Sequence, residues 1–186
     1  MKLPDGAYRV FDAGEVQDAY DAMAQQLNRV LPDLEVLLLP VMNGGMFTAC
    51  ALAPRLDRPL RIDYVHATRY RGAARGREIQ WLHWPALPDE CETMLLVDDI
   101  FDEGYTLAAI RNRLPDRYRV TTAALARKRH DRGLARDWID CHGLDVPDVY
   151  VFGCGMDYRE NYRELTDIWA IPESVGSGDA AHGRRT

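Results

Sequence analysis

Leu95-Leu96-Val97-Asp98-Asp99-Ile100-Phe101-Asp102-Glu103-Gly104-Tyr105-Thr106 is the stretch whose reading decides the fold. With Thr93 and Met94 before it, the run to Val97 is continuously apolar, as expected of a parallel strand buried on both faces. Asp98 to Gly104 then reads as a turn, and Tyr105 to Leu114 as a helix stopped at Pro115. Four carboxylates fall within the six residues from Asp98 to Glu103. Packing does not ask for this, because like charges so close repel; hydroxyl donors or a divalent cation would offset the cost. Gly104 lets a ligand approach the backbone, and the first amides of a helix lack internal partners and favour an anion. Such a turn offers acceptors for a sugar diol beside donors for a phosphate, which suits a phosphorylated ribose. The plainer alternative is a solvated acidic turn in which Asp102 or Glu103 caps the helix.

Working outward, Asp12 followed by Glu15 reads as a helix N-cap, and Val16, Tyr20, Met23, Leu27 and Val30 form one apolar stripe closed by Pro32. Val36 to Leu39 is a second buried strand, Pro40 to Gly45 a turn, and Met46 to Leu52 a short helix. Ile62 to Ala67, Val120 to Ala126 and Tyr150 to Phe152 are further strands, and Glu78 to Trp84 a returning hairpin strand. Arg69 to Arg77 is an Arg- and Gly-rich mobile loop, and the small, polar tail 174–186 reads as disordered. Strands alternating with helices predict an α/β fold with a mainly parallel sheet, whose ligands lie beyond the carboxyl ends of the strands.

The chain has 186 residues, enough for one domain, and a formal net charge of -6. That balance disfavours nucleic acid as a partner. No apolar run is long enough for a membrane span, and Met1 to Gly6 lacks the core of a signal peptide. The expectation is a cytoplasmic protein. Cys50, Cys91, Cys141 and Cys154 are widely spaced and form no C-x-x-C pair, so reduced, structural cysteines are expected. Neither a Walker A pattern nor G-x-G-x-x-G is present.

The acidic stretch resembles the phosphoribosyl-pyrophosphate (PRPP) signature of type I phosphoribosyltransferases, in which two acids precede a D-x-G-x-T loop. Pro40 to Phe47, Tyr64 to Tyr70, Arg127 to Arg129 and Val146 to Arg163 are similar, in the same order, to the hypoxanthine-guanine branch. The similarity spans roughly residues 35–171. It implies a central sheet flanked by helices, a mobile active-site loop, and a small hood subdomain built from the N-terminal part and residues about 150–173. Residues 1–173 would form the single domain.

The resemblance also implies roles. Asp98 and Asp99 match the paired acids that bind the ribose hydroxyls directly or through Mg2+, and Asp157 matches a carboxylate that reaches a second Mg2+ through water. Asp102 matches the acid near the purine N7 and is the expected general base. Glu103, Gly104, Tyr105 and Thr106 form the phosphate loop, and Asn43 with Gly44 the pyrophosphate loop. Arg163 matches an arginine on pyrophosphate. On the purine side, Lys128 matches the lysine that reaches the 6-oxo group. Tyr150 and Val151 match the positions that stack on the base and bind it through backbone.

Three positions depart from the family pattern. Asn43 stands where a lysine is usual, and the family's often cis peptide falls at Met42–Asn43. Arg69 stands where a serine is usual and is expected to restore that charge on the PRPP side. Glu103 replaces a threonine; a bare carboxylate about 4 Å from a phosphate charge would cost roughly 4 kcal/mol at an effective dielectric near 20. Glu103 is therefore expected to point away, bind an arginine, or cap the helix. Together these residues imply purine salvage: transfer of phosphoribosyl from PRPP to hypoxanthine or guanine, in a homodimer or homotetramer. A xanthine-preferring relative, or a regulatory protein on the same fold that binds nucleotide and nucleic acid, is the alternative.

Overall fold

A computed structural model describes residues 2–69 and 79–172, with Arg69 described in its backbone only. The elements are β1 (Tyr8–Phe11), α1 (Ala13–Val30), β2 (Val36–Met42), α2 (Gly45–Leu52), β3 (Leu60–Ile62), β4 (Val65–Arg69), β5 (Ile79–His83), β6 (Thr93–Phe101), α3 (Tyr105–Arg113), β7 (Arg119–Lys128), β8 (Cys141–Val146), β9 (Tyr150–Phe152) and β10 (Ile168–Ile171). Short 3-10 turns lie at Ala53–Arg55 and Arg136–Trp138. The larger sheet has the order β5-β4-β2-β6-β7-β8, with β3 also on β2. Every pairing in it is parallel except β4 with β5.

The apolar runs become two-sided core. Val36 and Leu38 of β2, with Leu95 and Val97 of β6, pack on the side of α1 and α2. Leu37, Leu39, Met94 and Leu96 pack on the other side, with Leu107 and Ile110 of α3. Burial on both faces explains why the alternation expected of a half-buried strand is absent. Helix α1 starts as expected, with Asp12 and Glu15 in a reciprocal capping box.

Three strands differ from the sequence reading. Strand β2 runs through Pro40 to Met42 instead of turning. Its other neighbour changes from β3 at Leu38 to β4 at Val41, so Pro40 faces the gap at residues 63–64 and no ladder there needs its missing N–H. The single strand expected over Ile62 to Ala67 is divided by the same gap. Strand β6 continues through Phe101, because β7 pairs with Asp98, Ile100 and Phe101, so the turn shrinks to residues 102–104. The ladder overrides the low strand propensity of aspartate.

After β2 the chain adds β3 and β4 on one side, and β6 on the other, so the strand order reverses between β2 and β6. Ligands bind in the crevice outside the strand ends at such a point. A second sheet, antiparallel and three-stranded in the order β1-β10-β9, joins the beginning of the chain to residues 150–171. The expected mobile loop falls largely on residues 70–78, and the tail on 174–186; both lie outside the described residues.

Candidate active site

A cleft of about 1130 Å³ opens beyond the carboxyl ends of β2 and β6. Met42 and Asn43 border it from β2, joined by a cis peptide, at the position the resemblance implied. Behind them Gly44 admits no side chain, since a Cβ would land on the Asp99 carboxylate. Asp98, Asp99, Asp102, Glu103, Gly104 and Thr106 line the cleft from the β6–α3 stretch, and Asp157 and Arg163 from the segment after β9. His66 and Thr68 of β4, and Glu160, also line it, although the sequence reading did not single them out. Lys128, Tyr150, Val151, Gly44 and Tyr105 are not among the lining residues.

The acid pair is held by its own backbone. The Asp99 amide donates to Asp98 Oδ1 at 2.9 Å, and the Ile100 amide to Asp99 Oδ1 at 2.8 Å. Burial and the neighbouring Asp99 charge push the Asp98 carboxyl well above the usual carboxylate range. Asp99 is also pushed up by burial, against the pull of Arg163. Arg163 spans the cleft floor. Its Nη1 donates to the Gly155 carbonyl at 2.5 Å and lies 3.7 Å from Asp99 Oδ2, while its Nη2 donates to Asp157 Oδ1 at 2.7 Å. The segment that presents Asp157 and Arg163 holds Cys154, Arg159, Glu160 and Tyr162 at positive φ. Non-glycine residues adopt that conformation at an energetic cost, and such positions cluster at functional sites.

Asp102 stands on the turn in a different setting. Lys128 Nζ, at the end of β7, is 3.0 Å from Asp102 Oδ2, and His130 Nε2 is 2.6 Å from Oδ1. Burial raises the Asp102 pKa, but the His130 hydrogen bond and the Lys128 charge outweigh it and hold the carboxyl below its ordinary value. His130 was missed by the sequence reading, since nothing in a linear pattern ties residue 130 to residue 102.

Helix α3 is preceded by Gly104 at its N-cap, whose φ of 76° is left-handed and where a Cβ would come within 2.6 Å of the Phe101 ring. The N-cap residue, Gly104, has no side chain with which to cap the helix. Asp102 turns its two oxygens to His130 and Lys128. Of the fates expected for Glu103, a tie to an arginine has support, since its charge is felt by Arg132, which forms a two-pronged pair with Asp148 at 2.6 and 2.7 Å. The first amides of α3 lie at the cleft end, a setting that favours an anion.

Tyr150 opens β9, partly exposed and edge-on to Tyr158 at 5.6 Å, and Val151 is buried beside it. Among the described lining residues, six carboxylates face one arginine. Hard oxygen donors of this kind suit magnesium, which is commonly held by one or two carboxylates plus substrate phosphates. The described residues contain no group of three that could hold a metal ion by themselves. The donor set therefore fits an ion shared with substrate oxygens, not an all-protein cage.

Residues 9–161 match the model of the phosphoribosyl transferase domain. A hypoxanthine-guanine phosphoribosyltransferase of Staphylococcus epidermidis is 26% identical over 168 residues, covering 88% of this chain and 92% of the relative. A solved hypoxanthine phosphoribosyltransferase of Staphylococcus aureus superposes with a TM-score of 0.79 at 23% identity, covering 91% of this chain and 94% of the other. The Trypanosoma cruzi hypoxanthine phosphoribosyltransferase, solved with the product IMP, gives 0.75 at 22% identity, over 94% and 100% of the two chains. With the family model matching most of its length and the acidic strand end lying where the crevice opens, the chain belongs to the phosphoribosyl transferase domain family.

Proposed function

We propose that the protein is a hypoxanthine-guanine phosphoribosyltransferase of purine salvage, converting PRPP and hypoxanthine or guanine to IMP or GMP and pyrophosphate. One observation carries the reading: the acid pair of β6, the Lys128–Asp102 contact and the glycine-led start of α3 converge on one cleft. Asp98 and Asp99 accept from the ribose hydroxyls, and the amides around Gly104, Tyr105 and Thr106 hold the 5′-phosphate. The backbone of Asn43 and Gly44, with Arg163, takes the pyrophosphate. Arg69 contributes a charge on that side, supported by the sequence alone. Asp98, Asp99 and Asp157 would hold Mg2+ together with PRPP; bound there, the metal neutralises the pyrophosphate as charge develops on it.

Lys128 leaves Asp102 for the purine 6-oxo group, and Tyr150 and Val151 hold the base from the small sheet. The N9 lone pair forms the bond to C1′ as the C1′–O bond breaks and pyrophosphate leaves with the electron pair. The proton on N7 passes to Asp102, and the same carboxylate faces the positive charge developing on the sugar. An ammonium cannot accept from the 6-amino group of adenine, so oxopurines are preferred.

The same reading takes residues 1–173 as one domain, with the small sheet as its hood. It places the protein in the cytoplasm, in line with four free cysteines, and as a homodimer or homotetramer. No helix among the described residues is long and apolar enough to cross a membrane. Incubation with PRPP, Mg2+ and hypoxanthine, guanine or xanthine, followed by chromatography of nucleotides, tests the proposal. IMP and GMP are the expected products. Nucleotide from xanthine alone, or none at all, would overturn it.

A further inference from the structure

His130 is a buried histidine with no part in the proposed transfer. Its side chain is only 6% exposed, and it lies just past the end of β7. The Arg132 backbone amide donates to its Nδ1 at 3.1 Å. A backbone N–H can only donate, so Nδ1 must carry a lone pair there and the ring proton must sit on Nε2. Nε2 faces Asp102 Oδ1 at 2.6 Å, while Oδ2 faces Lys128 Nζ at 3.0 Å. The two carboxylate oxygens are thus held by different kinds of donor. Lys128 sits on a long side chain and has a second task at the purine. His130 is fixed from behind by backbone. That backbone is itself clamped, because the Arg132 side chain grips Asp148 with two bonds.

We propose that His130 is a positioning residue for Asp102: its Nε2–H holds Oδ1, so that Oδ2, released by Lys128, is the atom that receives the purine proton. The proposal rests on the assignment of Asp102 as general base. His130 does not pass the proton on, because Nε2 already carries one and Nδ1 is committed to the Arg132 amide. The charged groups facing it are Asp102 from the turn after β6, Lys128 from β7, and Asp148 from the turn after β8. The ring also helps to keep Asp102 ionised, in line with its lowered pKa.

The test measures kcat against pH, with KM for both substrates, in His130→Ala, His130→Gln, Asp102→Asn and the double variant His130→Ala/Asp102→Asn. In His130→Ala, kcat should fall roughly ten- to a hundredfold, the scale of a misplaced catalytic group. The KM for PRPP should stay unchanged. The acid limb should move to higher pH, because the group that held Asp102 ionised is gone. His130→Gln keeps a neutral N–H donor and should recover much of both losses. In the Asp102→Asn background, His130→Ala should cost nothing further.

A His130→Ala enzyme with unaltered kcat and acid limb overturns the proposal. So does an equal loss from His130→Ala with and without Asp102. Full turnover in Asp102→Asn instead removes the general-base assignment, a separate result. Should the His130 variants fail to fold, nitrogen-15 NMR of the wild-type imidazole decides, since a ring protonated on Nδ1 is incompatible with the proposed hydrogen bond.

Discussion

Asp98 and Asp99 differ from Asp102 by four and three positions in sequence and by their whole electrostatic setting. The pair is desolvated, and among the described residues its ion-pair partner is Arg163, 3.7 Å from Asp99. Both carboxyls are pushed up. Asp102 is also partly buried, yet it is pulled down by two donors brought from the end of β7. The difference teaches that one residue type, on a strand end and on the turn after it, can sit in two opposite settings. On the proposed reading the pair is relieved by an incoming cation and sugar, whereas Asp102, held ionised by its donors, accepts a proton once Lys128 leaves.

The comparison can be broken most severely at Asp102. Asp102→Asn should lower kcat by about a hundredfold to ten-thousandfold, the range of general acid–base catalysis, with a much smaller change in KM for PRPP; single-turnover kinetics would separate the two. Lys128→Met should come next, lowering kcat/KM for hypoxanthine by roughly ten- to a hundredfold, as expected for a lost charge-assisted hydrogen bond. An unchanged value would show that Lys128 serves only Asp102.

Arg163→Ala tests the other partner. It should raise KM for PRPP roughly tenfold, in keeping with one charge-assisted contact, and steady-state kinetics at saturating purine would read it. The smallest effect should be one of stability. Asp98→Asn removes a like charge from a desolvated pair and should stabilise the substrate-free protein by about 1 kcal/mol, or about 2–4 °C in Tm for a chain of this size. Asp102→Asn should do the reverse at neutral pH. A depressed folded-state pKa gives stability that is present above the unfolded value and lost as pH falls through the folded one. The two melting curves should therefore converge in acid.

Much of the site was legible because its residues are contiguous. The β6–α3 stretch names six of the lining residues in one run of sequence, and the Asp12–Glu15 capping box is equally local. Other parts were not. Strand β8 reads Cys-His-Gly-Leu-Asp-Val and is mixed in polarity, as suits an outer strand with partly exposed positions. Strands β1 and β10 are four residues each and owe their pairing to one another across the length of the chain. The boundary errors at Pro40 and Asp98 share one cause, since in each case a neighbouring ladder, absent from any local window, decided where the strand stops.

By itself the sequence determines that an acidic turn follows a buried strand and precedes a helix, and that the turn resembles a PRPP site. Only the tertiary structure decides which of its carboxylates is strained and which is satisfied. Charge state depends on donors within a few ångströms, and His130 reaches Asp102 across 28 residues of chain only because β6 and β7 pair side by side and end together.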